Sequence, residues 1–388
     1  MPKGDRGLHS FRTTVSVPRN ASGAASVTER GIRKSLPPER FVDLREGEAK
    51  PGDPTGDLAY NAEMRWEAMA EEGCLTPVES FFVRNHAATP SIDPGFWTLH
   101  VEGPGVERPL RLTYDDLSSM QQVSIVQALE CAGNGRAFFE ELQARRPEGT
   151  PWGLGAVGVA EWTGVMLREI LERAGLKASA HGVMLESLDA VRMRRPLPVE
   201  KAVEEGTLLA FSMNGAMLTP DHGFPLRAIV SGWAAVASVK WLGRIYVSEK
   251  QLFSPWNTDK YVLTGGESGA AREPVEERGV KSALELAWPA RLQEGRHVLG
   301  GRSWSGYGAI SRVEYSVGGG PWREARLFGE NTPGAWARWS FEWDAKPGEH
   351  EIRVRATDNA GNVQPDEVGW NDLGYLYDGV VGHPIEVV

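Results

Sequence analysis

Hydrophobic and polar residues alternate with a period of two in the last third of the chain. The alternation is clear in residues 313–317, 339–343 and 352–356, and the turn Gly318-Gly319-Gly320 follows the first of these segments. A period of two in short segments separated by Gly and Pro turns is typical of antiparallel sheets with one buried face. The pattern therefore predicts a β-sandwich from about residue 279 to the end of the chain.

The preceding region, from about residue 78 to 265, mixes two periods. Residues 165–174 have helical spacing and are followed by Gly175, and residues 58–73 have a similar pattern that ends at Gly73. No strict repeat of strand and helix is present, which favours an α+β domain over a doubly wound sheet. The strands predicted around these helices cover residues 80–83, 97–101, 123–129, 208–213, 226–230 and 244–247.

Changes in composition divide the chain into three predicted parts. Residues 1–40 are rich in Ser, Gly, Pro and charge without a sustained period, which predicts an N-terminal arm. Residues 41–278 form the predicted α+β domain, and residues 279–388 form the predicted sandwich. The segment GGESGAAREPVEERG, residues 265–279, has the composition of a linker between them.

Composition and charge exclude several classes of protein. The chain has 388 residues and a formal net charge of -10, which argues against a general binder of nucleic acid or of anionic membranes. Its two cysteines, Cys74 and Cys131, exclude a disulfide framework and a four-cysteine metal site. No long apolar stretch predicts a membrane span, and the N-terminus lacks the apolar core of a secretory signal. We therefore expect a cytoplasmic protein, unless an export signal has been removed.

The segment Gly153-Leu-Gly155-Ala-Val-Gly158 matches the dinucleotide-binding pattern G-x-G-x-x-G. That pattern holds a pyrophosphate only where it joins a strand to a helix. Here the loop-like sequence RRPEGTPW precedes the glycines, and Glu161-Trp-Thr-Gly follows where the helix should already be running. A loop of small residues is the favoured interpretation, and a nicotinamide-dependent dehydrogenase would rest on this match alone.

Three other segments carry residues suited to chemistry. In ECAGNGR, Cys131 follows an apolar strand on an expected exposed loop, where Arg136 would favour the thiolate. A single cysteine is also often a small buried residue. FFVRNH places Arg84 and His86 at a strand end, and DHGFPLR with the later VKW repeats Arg and Lys near strand ends, which suits phosphate recognition. Taken singly, the last two segments are explained as simply by solvated surface residues.

The order and spacing of ECAGNGR, FFVRNH and DHGFPLR…VKWLGRI resemble those of the sulfite oxidase family of molybdenum enzymes. The resemblance covers residues from about 75 to 388, since the C-terminal ATDNAGNVQP, WN and GY also resemble the dimerisation domain of that family. It implies the sulfite oxidase fold, an α+β molybdopterin-binding domain followed by an immunoglobulin-like sandwich that forms a homodimer. It also implies the type without haem, because neither a haem motif nor a flavin domain is recognisable.

The resemblance implies that Cys131 is the protein ligand of molybdenum, whose other ligands are molybdopterin sulfurs and oxo groups. A soft thiolate suits such a coordination sphere, and Cys74 would be structural. Arg227 and Lys240 are the expected partners of the cofactor phosphate. The positions that match the cofactor-binding motifs of the family are Phe82, Val83, Arg84, Asn85, His86, Asp189, His222, Arg227, Ser238, Val239 and Lys240.

The resemblance further implies that sulfite, a small anion, is oxidised to sulfate by oxygen-atom transfer in a positively charged pocket. Arg84 and Arg136 match two pocket arginines, Trp152 matches a pocket tryptophan, and Tyr261 matches the active-site tyrosine. Lys260 stands where the family often has Asp. That difference would make the pocket more positive or orient Tyr261 differently.

Two groups of arginines have no clear assignment. A third pocket arginine of the family would lie near residues 333–339, where Arg338 is close but not aligned. The segment Val-Arg192-Met-Arg194-Arg195-Pro carries three further arginines. They either supplement the anion pocket or belong to a solvated loop, and the loop is favoured.

Two alternatives to sulfite oxidation stay open. One is a member of the same family that reduces another oxyanion or an S-oxide, such as nitrate or a sulfoxide. The other is a non-catalytic member whose sandwich is an interaction module, which the intact Cys131 disfavours. The sequence does not determine the electron acceptor, which is either oxygen or a separate carrier such as a c-type cytochrome.

Overall fold

The computed structural model describes residues 36–44, 60–70, 72–264 and 272–388. Most of the predicted N-terminal arm therefore lies outside the described residues. The strands up to residue 274 are β1 Phe41–Asp43, β2 Asn61–Met64, β3 Val83–Arg84, β4 Thr98–Glu102, β5 Leu110–Thr113, β6 Val123–Glu130, β7 Val157–Met166, β8 Gly182–Ser187, β9 Arg194–Pro198, β10 Thr207–Met213, β11 Ala216–Met217, β12 Arg227–Val230, β13 Leu242–Ser248, β14 Val262–Leu263 and β15 Glu273–Pro274.

The helices between these strands are short. The α-helices are α1 Tyr114–Ser118, α2 Ala137–Gln143, α3 Leu167–Arg173, α4 Val199–Val203 and α5 Pro255–Thr258, and 3-10 turns cover Trp66–Met69, Pro220–His222 and Ala235–Ala237. None of the helices in the described residues is long and apolar enough to cross a membrane.

Two five-stranded sheets share one hydrophobic core in the first part of the chain. One has the order β11-β10-β7-β6 with β12 paired to β10, and the other has the order β5-β4-β13-β8-β9. Helix α3 buries Leu167, Ile170 and Leu171 completely in that core. Their spacing of three and four residues is that of an amphipathic helix, and Gly175 follows the helix at a φ of +72°. The predicted α+β class and the predicted helix at this position are confirmed.

Two local predictions are wrong near the start of the described residues. Residues 61–64 are the buried strand β2, and only a 3-10 turn follows, so the helix predicted over residues 58–73 is absent from its described part. The strand predicted at residues 80–83 is displaced to Val83–Arg84, where it pairs with Asn61 and Ala62. Pairing of β2 with both β1 and β3 outweighs the helical spacing of its residues.

The remaining strands form the predicted β-sandwich. They are β16 Lys281–Leu284, β17 Ala290–Leu292, β18 Gly295–Trp304, β19 Ile310–Val317, β20 Arg323–Glu324, β21 Arg326–Phe328, β22 Trp336–Ala345, β23 Gly348–Asp358 and β24 Gly382–Val387. Two sheets, β16-β18-β22-β21 and β17-β24-β23-β19-β20, enclose a common apolar core. Ile352, Val354 and Ala356 of β23 point into it and their neighbours are less buried, as the period of two predicts.

The described half of the predicted linker is a packed connection. β15 pairs with β14, and Arg278 is 1% exposed with its Nη1 donating to the Ala128 carbonyl at 3.0 Å. The composition of this segment suggested a loop because its apolar residues are few. Its backbone and Arg278 are instead held by hydrogen bonds to the α+β part, while the domain boundaries at residues 40 and 278 stay a prediction.

A buried ion pair joins the end of β6 to the first strand of the sandwich. Lys281 Nζ lies 2.8 Å from Glu130 Oε1, and both side chains are less than 5% exposed. Asn134 Nδ2 donates to Glu130 Oε1 at 2.9 Å, and Trp304 Nε1 donates to Glu130 Oε2 at 2.8 Å. Lys281 also donates to the Asn134 carbonyl at 2.8 Å. Because Cys131 directly follows Glu130, this network fixes the position of the Cys131 loop.

We predict that Lys281→Met destabilises the protein by about 3–5 kcal/mol, because it leaves the Glu130 carboxylate buried and unpaired. Urea unfolding followed by tryptophan fluorescence measures this loss. The matched control is Arg296→Met, which removes the exposed ion pair with Glu342 and should cost less than about 1 kcal/mol. Adding Glu130→Gln to Lys281→Met should restore part of the loss. Equal losses in free energy of unfolding for Lys281→Met and Arg296→Met would contradict the prediction.

Candidate active site

A cavity of about 680 Å³, partly open to solvent, lies beside the Cys131 loop. It is formed by the ends of β3, β6 and β8 and by the segments that precede β12 and β13. Ten of the eleven predicted cofactor residues line it, and Val83 is buried behind the wall. The ten are Phe82, Arg84, Asn85, His86, Asp189, His222, Arg227, Ser238, Val239 and Lys240. The fold thus brings together residues that are more than 150 positions apart in the chain.

Cys131 lines this cavity but is buried, so the expectation of an exposed loop is wrong. The residue is 6% exposed. Its N–H donates to the Ala156 carbonyl at 2.9 Å, and Leu376 N–H donates to the Ala132 carbonyl at 2.8 Å. The loop is therefore covered by the segment before β7 and by a C-terminal segment. The thiol faces the cavity rather than the bulk solvent.

Two cationic side chains line the cavity near the start of β12 and β13, Arg227 buried and Lys240 half-buried. Arg227 donates to the carbonyls of His222 and Ser238 at 2.9 and 3.1 Å, and its guanidinium lies 5.0 Å from the Trp162 ring centroid. Burial lowers the pKa of Arg227 to about 9. Lys240 Nζ donates to Asn85 Oδ1 and to the Asp221 carbonyl. Its pKa is lowered well below the usual range, first by burial and then by Arg227.

Placing Arg227 and Lys240 in the same cavity is electrostatically unfavourable. Arg227 repels Lys240, which Asp221 and Asp189 offset in part, and the hydrogen bonds of Arg227 go to neutral carbonyls. An anionic ligand relieves that cost, because phosphate accepts several hydrogen bonds from Arg and pairs with Lys as a point charge. The cavity is therefore built to take an anion beside these two side chains.

Arg84, His86 and Tyr261 line the same cavity. Arg84 Nη1 donates to the Asn85 carbonyl, and Nε2 of His86 lies 2.7 Å from the Tyr261 hydroxyl. The His86 ring also meets Trp256 edge-on at 4.6 Å. Burial, followed by Arg84, lowers the pKa of His86 well below its usual value. Burial raises the pKa of Tyr261 above its normal range, so both groups are neutral at pH 7.

Three residues predicted for the substrate pocket do not line the cavity. Arg136 lies behind the Cys131 loop, where its side chain donates to the carbonyls of Thr150 and Leu373, both at 2.9 Å. Trp152 is fully buried in the core beside Cys131. Lys260 is exposed, and its Nζ lies 4.6 Å from the Trp256 ring centroid. Their roles in substrate binding stay predictions.

The unassigned arginines also lie elsewhere. Arg195 is 1% exposed and donates to the carbonyls of Trp256 and Val275, so its assignment to a solvated loop is wrong. Arg192 and Arg194 are exposed, as that assignment expected. Arg338 lies on β22 with its guanidinium 4.8 Å from the Phe328 ring centroid. None of these four lines the cavity.

Sequence reasoning missed four polar or aromatic residues of the cavity, one of which is Phe81 beside Phe82. Ser187 ends β8, Asp221 precedes His222, and Trp241 follows Lys240. Trp241 Nε1 donates to the Pro220 carbonyl at 2.8 Å, and the Lys240 ammonium lies 4.4 Å from the centroid of its ring. The sequence could have indicated three of them, because Phe81 stands in the motif FFVRNH, Asp221 stands in DHGFPLR and Trp241 stands in VKW.

The glycine-rich segment has no nucleotide-binding geometry. Gly158 lies inside strand β7, so the order is loop then strand, and no helix follows the glycines. A Cβ on Gly155 would lie 1.9 Å from the Met64 carbonyl oxygen. The glycine is needed there for the close approach of two backbones, which agrees with the interpretation as a loop of small residues.

Comparison with known proteins agrees with these observations. Residues 86–256 match the family model of the oxidoreductase molybdopterin binding domain, and residues 280–379 match the Mo-co oxidoreductase dimerisation domain. Sulfite oxidase from Gallus gallus is 36% identical over 365 residues, which are 87% of this chain and 77% of that protein. The mitochondrial sulfite oxidase of Homo sapiens is 34% identical over 345 residues, and the chain spans only 62% of its length.

The chain belongs to the sulfite oxidase family of molybdopterin-binding oxidoreductases. A solved structure supports the assignment over almost the whole length. The sulfane dehydrogenase SoxCD from Paracoccus pantotrophus superposes with a TM-score of 0.79 at 28% identity, covering 94% of this chain and 96% of that one. The fold class, the family and the oxidoreductase class predicted from the motifs are confirmed.

The cavity fits the cofactor of this family. Within the described residues, no group of three His, Cys, Asp or Glu side chains could hold a metal ion by itself. Cys131 supplies one thiol to the cavity, and a soft thiolate suits a metal whose other ligands are sulfurs. Arg227 and Lys240 supply buried positive charge for a phosphate. Both donor sets therefore match a molybdopterin that carries its own metal ligands.

A second cavity, of about 860 Å³, is lined by the buried side chain of Glu63. It lies between β2, the Gly153–Gly155 loop and the first strands of the sandwich. Glu63 of β2 is 8% exposed, and Oε2 of its carboxyl group has no hydrogen-bond partner. Burial raises the pKa of Glu63 to about 8, although the N–H groups of Gly153 and Gly155 oppose that shift. Glu63 is thus largely protonated at neutral pH.

We predict that Glu63 makes the protein less stable as the pH rises from about 5 to about 8. A raised pKa in the folded state stabilises the protein below the unfolded-state pKa, and that contribution is lost as the pH rises through the folded-state value. The difference in free energy of unfolding between Glu63→Gln and the wild type should grow by at most about 1.4 kcal/mol per pH unit over this range.

The difference should level off above the folded-state value. Urea unfolding at several pH values measures it, and Glu349→Gln, on the exposed end of β23, is the control for loss of a surface carboxyl. A difference that is constant between pH 5 and pH 8 would contradict the prediction.

Proposed function

We propose that this protein oxidises sulfite to sulfate at a molybdenum–molybdopterin centre. The observation that carries the proposal is the convergence of Cys131, Arg84, Tyr261, Arg227 and Lys240 on one cavity. The similarity to sulfite oxidases over most of the chain supports the same activity. When bound, the cofactor would supply the transferred oxygen atom and accept two electrons.

The cofactor would be held by residues that line the cavity. Cys131 Sγ would bind the metal, and Arg227 and Lys240 would pair with the terminal phosphate. Asn85 accepts a hydrogen bond from Lys240, which orients the ammonium group. Pre-oriented charges in a buried site need little reorganisation when an anion binds.

Arg84 and Tyr261 would hold the anionic substrate beside Cys131. The guanidinium of Arg84 neutralises an oxyanion, and its bond to the Asn85 carbonyl fixes the side chain. His86 is neutral, because burial and the neighbouring cations lower its pKa. With its proton on Nε2, His86 donates to the Tyr261 oxygen, which leaves the phenol O–H free to donate to an oxygen of the substrate.

We extend the proposal to partners and location. The match to a dimerisation domain supports a homodimer, and two-fold dimers are the commonest soluble oligomers. Electrons would pass to oxygen or to a separate carrier such as a c-type cytochrome. We also propose a cytoplasmic location, and the net charge of -10 disfavours a general binder of nucleic acid or of anionic membranes.

The decisive experiment combines metal analysis with turnover of the purified protein. We expect stoichiometric molybdenum and sulfite-dependent reduction of ferricyanide. Cys131→Ser should remove turnover while the protein remains folded, because the metal loses its only protein thiolate. The matched control is Cys74→Ser, since Cys74 is half-buried and lies outside the cavity, and it should retain activity.

Two outcomes would overturn the proposal. Absence of molybdenum in protein produced with an adequate supply of cofactor would remove the enzymatic assignment. Reduction of nitrate or of a sulfoxide by a dye donor, without sulfite turnover, would favour the alternative substrate classes.

We predict that Arg84→Gln raises the KM for sulfite about tenfold or more, with a smaller effect on kcat. A charge-assisted hydrogen bond to the anion is lost, and such bonds contribute roughly 1.5–3 kcal/mol. Steady-state kinetics at constant ionic strength measure the change. Arg145→Gln is the control, because Arg145 is exposed and packs over Trp370 outside the cavity. Equal KM values for Arg84→Gln and the wild type would show that Arg84 does not bind the substrate.

A further inference from the structure

A C-terminal segment, residues 371–377, returns from the sandwich to the candidate active site. Asn371 clamps the backbone of Tyr375, because its Nδ2 donates to the Tyr375 carbonyl at 2.9 Å and its Oδ1 accepts from Tyr375 N–H at 2.8 Å. The next residue, Leu376, donates its N–H to the Ala132 carbonyl at 2.8 Å. Tyr375 is thus anchored directly beside the residue that follows Cys131.

The anchored ring stacks on the tyrosine of the site. The ring centroids of Tyr375 and Tyr261 are 5.0 Å apart, with 15° between the ring planes. The guanidinium carbon of Arg136 lies 5.0 Å from the centroid of the Tyr375 ring. Arg136 itself is fixed by its bond to the Leu373 carbonyl of the same segment. Stacked aromatic pairs and cation–π contacts are both attractive, so each holds the Tyr375 ring in place.

Tyr261 needs such support, because its backbone is in the left-handed region. Its φ is +53°, a conformation that is unfavourable for residues with a side chain. Such residues persist where the surrounding contacts fix them, and they cluster at functional sites. One of these contacts is the bond from Val275 N–H to the Tyr261 carbonyl at 2.8 Å, and the stacked Tyr375 ring is another.

The phenol of Tyr375 is itself part of the electrostatic environment of the site. Burial raises the pKa of Tyr375, and Arg136 and Arg84 act in the opposite direction. The group therefore stays a neutral phenol at pH 7. Its ring contributes shape and polarizability to the site without adding charge.

We propose that Tyr375 is a positioning residue that fixes the Tyr261 ring, so that the Tyr261 hydroxyl stays on His86 and points into the cavity. The C-terminal segment would in this way control the geometry of a residue contributed by the α+β part. The kinetic side of this inference rests on the proposed sulfite oxidation, whereas its structural side does not.

Substitutions that remove or keep the ring test the inference in the full-length protein. Tyr375→Leu and Tyr375→Met remove the stack, and two variants are used in case one does not fold. We expect kcat/KM for sulfite to fall about tenfold, with kcat carrying most of the loss because Arg84 still binds the anion. Tyr375→Phe keeps the stack and loses only the contact of the phenol oxygen with the Tyr261 backbone N–H, so it should lose less activity than either ring-free variant.

A double-mutant cycle shows whether Tyr375 acts through Tyr261. In a Tyr261→Phe background there is no hydroxyl to position, so Tyr375→Leu should then change kcat/KM less than about twofold. The matched control is Tyr315→Leu, which removes a stacked phenol from the sandwich, where Tyr315 lies 3.8 Å from Phe341 between centroids. The control should lower the melting temperature without changing kcat/KM.

Crystal structures of the variants give a readout that does not depend on turnover. We expect the Tyr261 hydroxyl to remain within hydrogen-bond distance of His86 in Tyr375→Phe and to leave it in the ring-free variants. An unchanged Tyr261–His86 bond in Tyr375→Leu and Tyr375→Met would overturn the inference, and so would equal losses in the wild-type and Tyr261→Phe backgrounds. If the wild type does not oxidise sulfite, the proposed function fails, and the structures still decide the role of Tyr375.

Discussion

The buried contact between Glu130 and Lys281 is the constraint on which the position of the site depends. It joins the last residue of β6 to the first residue of the sandwich at 2.8 Å. A charge pair with so little exposure is tolerable only when its remaining hydrogen-bonding atoms are satisfied, and Asn134 and Trp304 do this for the carboxylate. Cys131 directly follows Glu130, so the same network that joins the two parts of the protein also places the thiol at the cavity. Stability and site geometry are therefore coupled through one short segment.

The cavity concentrates positive charge in a protein whose net charge is -10. The net value sums over the whole chain, whereas Arg227 and Lys240 act over a few ångströms inside the cavity. Burial lowers the pKa of both groups. Arg84 lines the same cavity, so the positive charge of the cavity comes from segments that are far apart in the chain.

Much of the site was predictable from sequence because its residues stand in contiguous motifs. FFVRNH and VKW carry their residues at strand ends, and that local context survives folding. Tyr375 was not predictable, since nothing in its neighbours along the chain indicates contact with Tyr261 more than a hundred residues earlier. The prediction for Arg195 was wrong for a similar reason. An arginine-rich segment is polar by composition, yet the Arg195 guanidinium donates to two buried carbonyls. The helix expected over residues 58–73 failed where pairing with β1 and β3 overrode local spacing.

The sequence by itself determined the family, the sandwich and the identity of the residues that carry charge and sulfur. Those features depend on residue type and on the order of neighbouring residues, and both can be read from the sequence. The tertiary structure alone decided that Cys131 is buried, that Arg136 and Trp152 stand behind the cavity wall, and that a C-terminal tyrosine packs on Tyr261. These features depend on which distant segments cover one another. Contacts between distant segments arise only in the folded chain, and no local pattern of residues predicts them.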